Sequence, residues 1–162
     1  MTKKAIELSM DFLWEEQITI EKDETKECGY SIRHFGCTRW GNYKWRELTP
    51  TISTTKHKHG KDKQYYIVAW SSKRLGRVVV LPLHRLLYVY FVAKNEFDNT
   101  LDVDHLNNDS LDNRIENLQA ISRKDNIAKR GVGRNQFTAH MTDKEILEAR
   151  AKRLTKKNKE NK

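Results

Sequence analysis

The spacing of apolar residues changes character several times along the chain, and each change predicts an element. Between residues 3 and 16, Ile6, Met10, Leu13 and Trp14 recur at near-helical spacing, which predicts a short amphipathic helix. From Gly29 the pattern shifts to short runs rich in Tyr, Ile, Trp and Thr, as strands require. YYIVAW, SSKRLG and RVVVLPL then read as a hairpin turning between Ser72 and Gly76. His84 to Val92 is apolar without a break and predicts a short buried helix.

The next segment, LDVDHL, alternates Leu101 and Val103 against Asp102 and Asp104, the pattern of a strand. NNDSLDNRIEN is too polar for a core element and reads as a loop, after which LQAIS returns as a second strand. SRKDNIAKR predicts a helix capped by Ser122 with Asp125 three residues on, and with Ile127 available to the core. Gly131 and Gly133 open a linker. A last helix is predicted from Thr142, with Glu145 in the capping-box position, towards Leu154, ahead of a polar tail.

Charge sharpens this outline. The 162 residues hold 31 Lys+Arg against 22 Asp+Glu, a net +9, which favours an acidic partner, nucleic acid above all. A plain solvated basic surface is the alternative. The distribution is in blocks: residues 51–90 carry eight basic residues and one acidic, whereas residues 91–120 carry two basic and seven acidic. Residues 121–162 are basic again, with thirteen against five. Basic flanks can follow a polyanion, but the acidic centre would repel it unless a divalent cation neutralised the carboxylates. An exposed acidic loop without a ligand is the simpler reading of the same island.

Other classes are disfavoured. Cys28 and Cys37 are too few for a thiolate zinc site or a disulfide framework, and read as reduced thiols of a cytoplasmic protein. The longest apolar stretch, VVVLPLHRLLYVYFVA, is interrupted by Pro82, His84 and Arg85 and does not predict a membrane span. The first residues lack a signal-peptide profile.

Within the acidic island, the adjacent Asp104 and His105 form a candidate catalytic pair. Cutting a phosphodiester needs an activated water and stabilisation of charge on phosphate and leaving oxygen. Histidine suits the first task and a hard, oxygen-ligated cation the second. Strand alternation would turn the two side chains to opposite faces, so both can serve only if the strand ends or bends there. Asn126 offers a hard carbonyl oxygen from the following helix, where Arg123, Lys129 and Arg130 share its face. Asn113 and Asn117 fit a role in bonding the loop backbone.

Residues 84–130, HRLLYVYF…LDVDHLNNDSLDNRIENLQAISRKDNIAKR, closely resemble the HNH endonuclease core, in particular its phage and intron-encoded homing branch. The shared elements are an HRL segment, a DH pair with an Asn/Asp-rich loop, N-R-x-E-N-L, and S-x-x-x-N. The resemblance implies an α+β chain with a ββα-metal (His-Me finger) core. It also implies sequence-specific, metal-dependent hydrolysis of double-stranded DNA. His105 would then be the general base, Asp104 and Asn126 the ligands of one Mg²⁺ (or Mn²⁺), and Asn117 the pin of the loop. Asn126 stands where many members have histidine, a variant found in the phage branch.

GYSIRHFGCTRWGNYKWRELTPTIST likewise resembles the strand-rich module that often precedes such cores, although Arg33-His34 and Cys37-Thr38 replace its usual Ser-Asn and Arg-Val. Arg33, Arg39, Trp40, Lys44 and Arg46 are its candidate DNA contacts, joined from the core by Arg123, Lys129 and Arg130. The expected organisation is a β-rich DNA-binding module over 1–83, the nuclease core over 84–130, and a linker, helix and basic tail over 131–162. A monomer would nick DNA and a homodimer could cut both strands, in the host cytoplasm if phage-encoded. A role in packaging or restriction, or a binding module with a vestigial site, are the competing readings.

Overall fold

The computed structural model describes residues 6–37, 40–56 and 62–131. They form an α+β fold of small antiparallel sheets and short helices, divided into two compact units, residues 1–99 and 100–162. The helix expected from Thr142 and the candidate contact Arg39 lie outside the described residues, as does the side chain of Arg130.

In the first unit, α1 (Met10–Glu15) is capped by Ser9, whose Oγ accepts the Phe12 N–H at 3.1 Å. It buries Phe12 and Leu13, while Trp14, expected on the same stripe, is 67% exposed. Six residues cover fewer than two turns, and Trp14 points 100° around the axis from Leu13, off the buried face.

Strands β1 (Ile18–Lys22), β2 (Tyr30–Cys37) and β3 (Tyr43–Glu47) make one antiparallel sheet. Strand β1 was not foreseen, because its short ITIEK run lies within an acidic segment; Ile18 and Ile20 nevertheless alternate into the core. In β2, Tyr30, Ile32 and His34 turn inward, whereas Arg33 is exposed and Phe35 half-buried.

A second sheet joins β4 (Thr51–Thr55), β5 (Lys63–Ser72) and β6 (Arg77–Pro82). The β5–β6 hairpin turns where expected, with Gly76 at φ 61°. Buried Glu16 ties the end of α1 to this hairpin. Its carboxylate accepts hydrogen bonds from Trp70 Nε1 (2.9 Å), Ser72 Oγ (2.8 Å) and Arg74 Nε (3.1 Å), which offset the cost of its burial. The His34 ring lies beside Trp70 and over Gly36, where an added Cβ would come within 2.5 Å of the imidazole. Any larger residue there would have to displace the imidazole.

Helix α2 (Leu83–Tyr88) continues through a π-helical turn, Val89–Ala93, and buries Leu83, Leu86, Leu87 and Val89. His84, from the HRL segment, meets the edge of Tyr65. Among the described residues no helix is long and apolar enough to cross a membrane, and Cys28 and Cys37 form no disulfide.

The second unit follows the order strand, loop, strand, helix. Strands β7 (Asp102–His105) and β8 (Leu118–Ile121) pair antiparallel, from Asp102 opposite Ile121 to His105 opposite Leu118. A 3₁₀ turn, Ile115–Asn117, precedes β8, and α3 (Arg123–Gly131) follows it. Ser122 caps α3 through Asp125: Oγ accepts the Asp125 N–H at 3.1 Å and donates to its carboxylate at 2.8 Å. Ile127 does not enter the core and is 57% exposed. The contact face of α3 carries Asn126 and Lys129, and its neighbour Ile127 is rotated 100° away from Asn126.

Candidate active site

The two-residue period of β7 decides which side chains α3 can reach. Asp102 and Asp104 share one face of the strand, and Val103 and His105 take the other, where both are buried. On the first face, Asn126 Nδ2 donates to Asp102 Oδ2 at 2.9 Å. One turn further along α3, Lys129 Nζ lies 2.6 Å from Asp104 Oδ2 and also donates to the main-chain oxygen of His105. Gln119, opposite Asp104 in the ladder, donates to the same Oδ2 at 3.0 Å. Arg123 is mostly exposed, with its guanidinium 3.9 Å from Asp102.

His105 is the last residue of β7. Its imidazole is buried on the side opposite the Asp104 carboxylate, facing the loop. Burial holds its pKa below the ordinary histidine value. That effect outweighs the Asp104 charge, the Asn113 side chain and Asp112, which favour the cation, while Lys129 adds to the lowering. The ring is therefore neutral at neutral pH and able to accept a proton.

The polar loop has an ordered interior. Asn117 is fully buried (0% exposed); its Oδ1 accepts the Asn107 N–H at 3.0 Å, and its Nδ2 donates to Asn107 Oδ1 at 2.9 Å and Asp112 O at 2.8 Å. Its main-chain oxygen accepts the Leu106 N–H at 2.8 Å, which holds the chain leaving His105. Asn107 Nδ2 donates to Asp112 Oδ2 at 2.8 Å, and Arg114 closes on the same carboxylate at 2.7 Å. Burial raises the Asp112 pKa, but Arg114 and Asn107 prevail and hold it below the usual carboxylate value. Asn113, also buried, donates to Leu111 O at 3.0 Å.

The structure thus brings Asp104, His105, Asn113, Asn117 and Asn126 into one unit, but Asn126 contacts Asp102 and not Asp104. Sequence reasoning left Asp102 and Asn107 without roles and did not consider Gln119. The signal for Asp102 was its i, i+2 relation to Asp104. Lys129, grouped by sequence with the DNA-contacting cations, turns inward.

The donor set is compatible with a hard cation: two carboxylates and an amide carbonyl, all oxygen. The hydrogen bonds to Asp102 and Asp104 all go to Oδ2, leaving each Oδ1 without a hydrogen bond among the described residues. Among those residues no three His, Cys, Asp or Glu side chains converge as a metal site, so Asp102, Asp104 and Asn126 would hold an ion together with water and substrate. Such partial ligation is usual for Mg²⁺.

In the first unit, the candidate contacts Trp40, Lys44 and Arg46 are exposed on or before β3. Arg33 is paired with Glu21 at 2.7 Å, and Arg46 donates to Cys37 O at 3.2 Å. Phe35 lies between Tyr43 (ring centroids 6.0 Å apart) and Trp45 (5.4 Å) on the outer face of the sheet.

Residues 82–128 match the family model for HNH endonuclease. An uncharacterized HNH endonuclease of Acanthamoeba polyphaga mimivirus is 36% identical over 70 residues. That alignment covers 43% of this chain and 17% of the viral protein, so the likeness concerns a minor part of the relative. No solved structure matches the chain. The family match contains β7, the asparagine loop, β8 and α3 through Ala128, so this region of the chain is similar to the HNH endonuclease family.

Proposed function

We propose that this chain is a metal-dependent DNA endonuclease that hydrolyses phosphodiester bonds of double-stranded DNA, with β7, β8 and α3 as its ββα-metal core. The observation that carries the reading is a buried His105 that ends β7 immediately after the strand face of Asp102 and Asp104, with Asn126 of α3 reaching Asp102 on that face. His105 accepts a proton from the attacking water. Asn117 fixes the chain that leaves His105, and so sets where the imidazole stands. Asp104 and Asn126, with Asp102 beside them, would hold a Mg²⁺ or Mn²⁺, which would supply charge stabilisation to phosphate and leaving oxygen.

The exposed aromatic and basic groups of β3 and the preceding Trp40 are the DNA-binding surface of the same reading, with Lys44 on phosphate. One site per chain implies nicking by a monomer, and double-strand cutting requires a dimer. Selective cutting of a defined site would make it a homing enzyme. Supercoiled plasmid should pass to the open-circular form in Mg²⁺ and remain intact in excess EDTA. Undiminished cutting in EDTA would remove the metal from the account.

A further inference from the structure

We propose that Lys129 is the resident counter-ion of Asp104, and that a divalent cation reaches this carboxylate by displacing the lysine. The inference rests on the metal-assisted reading above and names what opposes the metal. Lys129 Nζ is 2.6 Å from Asp104 Oδ2 and also binds the main-chain oxygen of His105, so two oxygens hold the ammonium at the strand end. The Lys129 and Asp104 side chains keep only 11% and 17% of their surface, so water screens the pair weakly and neither charge is cheaply left alone. An ammonium bonded to hard oxygens occupies the electrostatic place of a cation. A divalent ion on the same carboxylate would meet its repulsion at short range.

The surroundings permit the exchange. Helix α3 is fixed by its Ser122 cap and by the Asn126–Asp102 hydrogen bond, neither of which involves Lys129. The lysine stem can therefore swing out while the helix stays seated. Asp104 keeps Oδ1 without a hydrogen bond among the described residues, which gives an incoming ion a first point of attachment. Asp104 is thereby neutralised in the metal-free fold, at the expense of metal affinity.

The test is titration of the full chain with Mn²⁺, followed by calorimetry and by the Mn²⁺ electron-spin resonance signal. The parent is compared with Lys129→Met, Lys129→Arg and Asp104→Asn. Removing a charged hydrogen-bond competitor should tighten Mn²⁺ binding by about tenfold in Lys129→Met. Lys129→Arg, which keeps the cation, should bind no more tightly than the parent, and Asp104→Asn should lose the site. Without metal, Lys129→Met should melt below the parent, and Mn²⁺ should raise its Tm by more. If Lys129→Met does not fold, Lys129→Gln takes its place in the same measurements.

Equal or weaker Mn²⁺ binding by the uncharged variant would overturn the displacement and leave Lys129 as a fastener of α3. In that case the loss of binding in Asp104→Asn would still uphold the metal reading. Unchanged binding in Asp104→Asn would overturn both.

Discussion

The loop between β7 and β8 and the surface of β3 treat polarity in opposite ways. In the loop, Asn107, Asn113 and Asn117 are buried, as is His105 at the end of β7, and the amides bond to one another and to main chain. On and before β3, large aromatics face solvent, with Trp40 84% and Trp45 50% exposed. Buried amides cost free energy unless they are hydrogen-bonded, and exposed indoles contribute little to folding. The contrast separates a region whose polar groups are spent on internal order from one that leaves large aromatic surface exposed.

The largest effect should follow from breaking the loop. Asn117→Ala removes three side-chain hydrogen bonds and strands the Asn107 N–H and the Asp112 carbonyl, so urea unfolding should show a loss of about 3 kcal/mol or more. A loss below about 1 kcal/mol would mean that the network is not what holds the loop.

The opposite result is expected on β3. Trp45→Ala should leave stability within about 1 kcal/mol of the parent but weaken binding to duplex DNA by about tenfold. Equal DNA affinity in a gel-shift titration would detach this sheet from the proposed interface.

A smaller effect comes from pH. Burial holds His34 below its ordinary pKa, against the raising influence of Glu16 and together with the lowering influence of Arg46. The unfolded chain therefore binds the proton more readily than the folded one, and this contribution is complete above about pH 6.5 and declines as pH falls below it. Thermal melts between pH 7.5 and 5 should show the decline, and it should be shallower in His34→Gln.

These regions also differ in how far the sequence revealed them. Strands β7 and β8, helix α3 and its Ser122 cap follow from alternation and capping signals, which are local. The β5–β6 hairpin was legible for the same reason. The partners of the acidic face were not. Asp102 and Asp104 are equivalent in the strand pattern, and only the seating of α3 gives Asn126 to one and Lys129 to the other. Trp14 and Ile127 were misplaced because a short helix has no pattern long enough to fix which side is covered. Glu16 reads as a surface residue in sequence, since its three donors arrive from residues 70–74.

The central claim is that His105 activates the water that cuts DNA. Its most direct test is the single-turnover rate of supercoiled-plasmid nicking in Mg²⁺, compared between the parent and His105→Ala at saturating protein. Loss of a general base should slow the variant by at least about a hundredfold while its DNA binding persists. Nicking by His105→Ala at the parent rate would contradict the account.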